Sequence, residues 1–200
     1  MNEDATKTRI MEGAKKLFQL YGFTRITIDE VAVNLKISKK TIYKHFKSKD
    51  DLIISVAGTI MAQARGQIRN LLARELSFPE TMMELLKTMQ GVMMQITPPM
   101  IQDMRSMPHI WEEIDARRKL MIREHFSTLI ERGQKSGEIR KDVDPKFLEI
   151  LWLQVVTSVA TPQFFMEYDT SPFEFIKTLI SVLTTGILTE KGKKKLGGVK

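Results

Sequence analysis

Apolar positions recur with the 3.6-residue period of an α-helix along nearly the whole chain, and no stretch alternates strictly enough to make a strand. Ile10, Ala14, Leu17, Phe18 and Tyr21 lie on one stripe, so a first helix is predicted to end there, with Gly22 as its stop signal. A second helix is predicted to start at Thr27. Thr27 and Glu30 have the spacing of a capping box, in which the hydroxyl accepts from a free backbone N–H and the carboxylate reaches back to another. Ile28, Val31, Ala32 and Leu35 form its buried face. Ser38 opens a third helix, with Ile37 and Ile42 placed as a hydrophobic staple across the cap. Ser48, with Asp51 in the box position, opens a fourth, which Leu52, Val56, Ile60 and Ala64 carry towards Leu71 and Leu72.

Further along, Ser77-Phe-Pro-Glu80 opens another helix, and Pro98-Pro99 and Pro108 bracket a short one. A long helix is predicted from Pro108 to about Gly133. Asp144-Pro145 reads as a cap followed by proline at the first helical position. Ser171-Pro-Phe-Glu174 repeats that logic with a capping box. Residues 191–200 are lysine and glycine with little to bury, which predicts a disordered basic tail. The expectation is an all-α protein of about nine helices without internal repeats.

Charge sharpens the picture once it is divided along the chain. The net charge is +7, but residues 1–50 hold 11 Lys+Arg against 6 Asp+Glu, residues 51–190 hold 15 against 18, and residues 191–200 hold 5 against none. The positive charge therefore sits at the two ends. A basic segment of this kind is either a phosphate-binding surface or a solvated lysine face, and charge alone favours the second. The chain has no cysteine, so neither a disulfide nor a thiolate nucleophile or metal ligand is available. The polar start Met1–Thr8 shows no signal peptide, and no apolar run approaches the ~18 residues of a membrane span. A cytoplasmic location is expected.

The pattern decides between the two readings of the basic segment. A capped helix, a tight turn through Lys36 and Ile37, and a short helix from Ser38 make a helix-turn-helix, whose second helix enters the major groove of DNA. That second helix is rich in hydrogen-bond donors: Lys39, Lys40, Thr41, Tyr43 and Lys44. Ile42 and Phe46 would turn back into a three-helix core.

The segment Arg25-Ile-Thr-Ile-Asp-Glu-Val-Ala, followed by Leu35-Lys-Ile-Ser-Lys-Lys-Thr-Ile-Tyr-Lys-His-Phe-Lys-Ser-Lys-Asp-Asp-Leu52, closely resembles the signature of the TetR family of bacterial regulators. Ala14-Lys-Lys-Leu-Phe18 and Tyr21-Gly-Phe23 match its first helix, so the resemblance covers residues 9–54. It implies that Thr27, Lys36, Tyr43 and Lys49 contact phosphate. It also implies that Lys39, Lys40 and Thr41 face base edges, with Lys44 on a base or phosphate and Ser38 at the helix start. His45 matches a position packed beside the helix junction.

For the remainder, the resemblance implies a larger helical domain that binds a small-molecule effector and pairs with a second copy. The expected organisation is a DNA-binding domain over 1–50, a regulatory and dimerisation domain over 51–190, and the tail. The last two long helices, roughly 145–167 and 172–189, would pair with those of the second copy through Trp152, Val155, Val159, Phe175, Leu179, Val182 and Leu183. The pocket residues would be Met93, Met94, Met104, Met107, Trp111, Phe126 and Trp152. Methionine lines adaptable apolar sites but also fills helical cores, and the core reading covers most of the thirteen. Catalysis has poor material. His45, His109 and His125 lack ligand spacing, and the Gly186–Lys194 stretch has the wrong glycine interval and no Ser or Thr for a phosphate loop. The expected function is a sequence-specific, homodimeric repressor that leaves a palindromic DNA operator when its effector binds. No cofactor or metal is expected. The alternative is an architectural, weakly specific DNA binder.

Overall fold

The computed structural model describes residues 3–159, 161–168 and 171–198, and among them the chain is helical with no strand beyond one isolated bridge, Ile139 to Leu188. The helices are α1 (Glu3–Tyr21), α2 (Ile28–Leu35), α3 (Lys39–His45), α4 (Lys49–Leu72), α5 (Phe78–Met93), α6 (Pro98–Ser106), α7 (Pro108–Lys135), α8 (Pro145–Val159), α9 (Pro162–Glu167), α10 (Pro172–Ile187) and α11 (Glu190–Gly198).

The local signals form as bonds. Thr27 and Glu30 close the capping box from both sides, with Thr27 N–H donating to the carboxylate at 2.7 Å and Glu30 N–H to the hydroxyl at 3.2 Å. Ser77 and Glu80 do the same at the start of α5. Ser38 accepts from Thr41 N–H, and Ser48 from Asp51 N–H, both at 3.1 Å. Asp144 accepts from Lys146 N–H at 2.7 Å just ahead of α8.

Two expectations are corrected. The helix predicted over 145–167 is interrupted: α8 ends at Val159, and Thr161 caps a separate α9 through Phe164 N–H at 3.2 Å. Pro162 takes the first position of α9, because its ring and missing N–H cannot continue α8. The predicted disordered tail is instead α11. Its Gly192 and Leu196 turn inward, while Lys195 reaches the buried Glu138 carboxylate at 2.5 Å. These two elements take the helix number from about nine to eleven among the described residues.

The chain divides into two compact units. The first is Met1–Ala62 with Met94–Asp115. Its core gathers Ile10, Ala14 and Phe18 of α1, Phe23 of the following turn, Ile42 and Phe46 at α3, Leu52, Ile53 and Val56 of α4, and Met100 and Met104 of α6. Phe18 and Phe23 meet edge to face, 5.4 Å between ring centres. Each such side chain contributes about 1.5–3 kcal/mol by leaving water, which makes this a rigid base for the short α3. The second unit is Gln63–Met93 with Ala116–Lys200. Its core holds Phe78 and Met82 of α5, Phe126 and Ile130 of α7, Trp152 and Val156 of α8, and Ile176 and Ile180 of α10.

Candidate nucleic-acid interface

The connection between α2 and α3 is held by its backbone. Lys36 takes the left-handed conformation at φ 53°, ψ 47°, and closes α2. Ile37 N–H returns to Ala32 C=O at 3.0 Å, and Lys36 N–H to Val33 C=O at 3.1 Å. A left-handed residue at the end of a helix reverses the chain sharply while still satisfying carbonyls of the last turn. Ser38 then caps α3.

With α3 seated through Ile42 and Phe46, both fully buried, its remaining residues turn outward. Ser38, Lys39, Lys40, Tyr43 and Lys44 are exposed and Thr41 is half-buried. The structure thus brings the expected reading residues onto one short, externally presented helix. His45 is half-buried, its ring 6.4 Å from that of Phe46, as the sequence predicts for a packed histidine.

The lysines differ in their partners. Lys39 pairs with Asp29 of α2 at 2.5 Å, and Lys44 with Glu3 of α1 at 3.2 Å. Both pairs are exposed. Such pairs contribute roughly 0–1 kcal/mol, so an arriving phosphate competes with them easily. Lys49 is half-buried and donates to Thr24 C=O at 3.1 Å, which aims it at the turn between α1 and α2. Lys36 and Lys40 have no ion-pair partner among the described residues. Thr27 uses its hydroxyl oxygen to accept from Glu30 N–H, and Glu30 in turn accepts from both the Thr27 N–H and the hydroxyl. Those hydrogen bonds hold the Glu30 carboxyl below its ordinary range. The sequence reading omits Lys47, an exposed lysine in the turn between α3 and α4 whose N–H donates to Asp51 at 2.9 Å. The only signal for it is its place between two caps.

Residues 10–56 match the family model described as bacterial regulatory proteins, tetR family. Residues 10–56 thus carry a DNA-binding domain of the TetR type. The chain is 21% identical to the HTH-type transcriptional regulator YvaF of Bacillus subtilis over 92% of this chain and 96% of that one. It is 27% identical to YhgD of the same organism, over 74% and 79% of the two chains. A TetR transcription regulator from Haloarcula marismortui shares the fold with a TM-score of 0.70 at 19% identity, covering 93% of this chain and all of that one. The chain is a DNA-binding regulator of transcription, and the family whose model it matches is one of regulators rather than enzymes. Among its described residues no helix is long and apolar enough to cross a membrane.

The residues expected to line an effector pocket do not form one group. Met104 is buried in the core of the first unit, where Met107 and Trp111 pack against it. Phe126 and Trp152 stack on each other in the second core, 4.8 Å between ring centres, with Met93 packed alongside. Met94 is 78% exposed. Met93 is the last residue of α5, whereas Met94 lies in the turn beyond it. A groove of about 250 Å³ opens in the second unit, lined by Gln67, Asn70, Leu71, Arg74, Glu84 and Thr88, and none of the expected pocket residues borders it.

Of the expected dimer residues, Trp152 is corrected to a core residue. It is 8% exposed and spends its surface on Phe126. Val155, Phe175, Leu179 and Leu183 are half-buried and Val182 is exposed, while the Val159 side chain lies outside the described residues. The apolar surface that α8 does present is Phe147, Ile150 and Leu151, which share one helix face at i, i+3 and i+4.

Proposed function

We propose that the protein is a homodimeric repressor that occupies a palindromic operator and leaves it when a small molecule binds. Residues 1–50 would carry DNA recognition and 51–190 dimerisation and effector binding. The observation that carries the reading is α3: a short helix anchored by Ile42 and Phe46 whose outward residues Lys39, Lys40, Tyr43 and Lys44 are all donors. Lysine at such positions donates to guanine O6 and N7, Thr41 can offer its methyl group to thymine, and Tyr43, Lys36 and Lys49 suit phosphate oxygens. Two copies related by a two-fold axis would place their α3 helices about 34–36 Å apart, one helical turn of DNA.

Effector control follows from linkage. A small molecule that binds better to a state with misplaced α3 helices shifts the population away from the operator-bound one. The methionines Met82, Met89 and Met93 around the second core suit a largely apolar effector, because thioether side chains repack without leaving polar atoms unpaired.

The test is an anisotropy titration of the full chain against duplexes from the region flanking its own gene, at fixed near-physiological salt, with scrambled DNA of equal length as control. Binding at least about a thousandfold tighter to one flanking duplex is expected. Lys40→Ala should then weaken binding to that duplex about tenfold, the loss of one base contact. Unchanged affinity in both Lys39→Ala and Lys40→Ala would remove α3 as the reading helix. Equal, steeply salt-dependent binding to all duplexes would point to an architectural binder instead.

A further inference from the structure

A carboxylate of α6 sits directly on the turn that leads into the helix-turn-helix. Gly22 ends α1 with φ +83°, and a side chain there would place its first carbon 2.3 Å from Asp103 Oδ2. That same oxygen accepts the Thr24 N–H at 2.8 Å. The carbonyl of Thr24 accepts from Lys49 Nζ at 3.1 Å. The two peptide planes flanking Thr24 are therefore each pinned, one by Asp103 and one by Lys49. Thr27, whose cap starts α2, is three residues further on.

Asp103 is itself held firmly. Its neighbours on α6, Met100 and Met104, are buried in the core with Phe18 and Phe23. Ahead of α6, Gln95 is tied to α1 twice: Lys15 Nζ donates to its side-chain oxygen at 2.6 Å, and Gln19 donates to its carbonyl at 3.1 Å. The segment from Gln95 to Met104 is thus fixed to α1 by both polar and apolar contacts, and Asp103 is the point at which it grips the turn.

We infer that Asp103 is a positioning residue for operator binding: by holding the Thr24 amide it sets the turn that places the Thr27 cap and aims Lys49. The inference rests on the DNA reading proposed above, because its effect is read out at Thr27 and Lys49. Asp103 does not itself touch DNA in this scheme. Without it the plane before Thr24 can rotate, the Thr24 carbonyl no longer meets Lys49, and the lysine loses its orientation towards phosphate.

The experiment compares wild type, Asp103→Ala and Asp103→Asn of the full chain against the duplex that binds tightly in the titration above, over a range of salt. Asp103→Ala should weaken binding about tenfold, the equivalent of one hydrogen bond to a charged group. The slope of log K against log salt should fall by about 0.9 per subunit, as one phosphate contact is lost. Asp103→Asn keeps an acceptor for the Thr24 N–H and should stay within about twofold of wild type. Unchanged or tighter binding by Asp103→Ala overturns the inference, since tighter binding would mean that the carboxylate merely repels DNA. An Asp103→Asn variant as weak as Asp103→Ala overturns it too. Should Asp103→Ala not fold, hydrogen exchange at the Thr24 amide of the free wild-type protein decides: protection supports the clamp, and exchange at the rate of an open turn overturns it. A DNA reading that is wrong reveals itself separately, because Lys40→Ala would then leave binding unchanged while Thr24 stayed protected.

Discussion

A chain carrying both Ile150→Asp and Val182→Asp is expected to run as a folded monomer and to lose operator affinity by about a hundredfold or more. On α8 Phe147 is 63% exposed, with Ile150 and Leu151 exposed beside it, and on α10 Val182 is 65% exposed. Isolated apolar side chains on a surface are ordinary, but a helix face of consecutive turns without a partner marks a contact surface. An isologous dimer built on these exposed positions of α8 and α10 would bury four carboxylates in the double variant, each costing several kcal/mol when unpaired. The positions are exposed in the single subunit, so the fold of each subunit should survive. Sedimentation velocity at micromolar protein reads the mass, and anisotropy reads the operator. The affinity loss follows from valency: one α3 on one half-site lacks the high effective concentration that the second copy supplies. A variant that remains dimeric would place the interface elsewhere.

The second large effect concerns Glu138, a buried carboxylate with 2% exposure in the loop after α7. It accepts from Phe78 N–H at 2.7 Å and from Lys195 at 2.5 Å, while its carbonyl accepts from Thr189 N–H at 2.9 Å. Gly192 of α11 makes this possible, since a side chain there would put its first carbon 2.4 Å from that carbonyl oxygen. Burial pushes the Glu138 carboxyl upward, but Lys195 and the Phe78 N–H outweigh it and hold the group below its ordinary value. Lys195→Met should therefore destabilise the second unit. Breaking a buried pair costs about 3–5 kcal/mol, and because Lys195 is half-exposed about 1–3 kcal/mol is expected. That corresponds to a fall in Tm of roughly 3–10 °C for a chain of this size.

The pH dependence has a definite sign. A carboxyl held below its unfolded value stabilises the fold above about pH 4.5, and that contribution disappears as pH falls through the lowered folded value. The gap in stability between wild type and Lys195→Met should therefore be full at pH 7 and close on acidification. Denaturant unfolding at the two pH values measures it. Equal stability at pH 7 would show that α11 contributes nothing through this pair.

What was legible from sequence alone is what short-range physics controls. The caps at Thr27, Ser38, Ser48 and Ser77 each depend on a partner three residues away, so their spacing already states the bond. The helix-turn-helix follows from two such caps and a staple, and the donors of α3 follow from which side Ile42 and Phe46 must bury.

Long-range contacts were not legible. Asp103 meets Thr24 across 79 residues and Lys195 meets Glu138 across 57, and no local period announces either. The lysine-rich end becomes α11 because a buried carboxylate waits for it, a charge compensation that composition cannot reveal. Trp152 has the same apolar character as Ile150, and only the packing of α7 against α8 sends the first inward onto Phe126 and leaves the second outside. Sequence determined which residues are apolar and where helices begin. Tertiary structure decided which apolar faces are spent within a unit and which are left for a partner, because that depends on neighbours brought together only by folding.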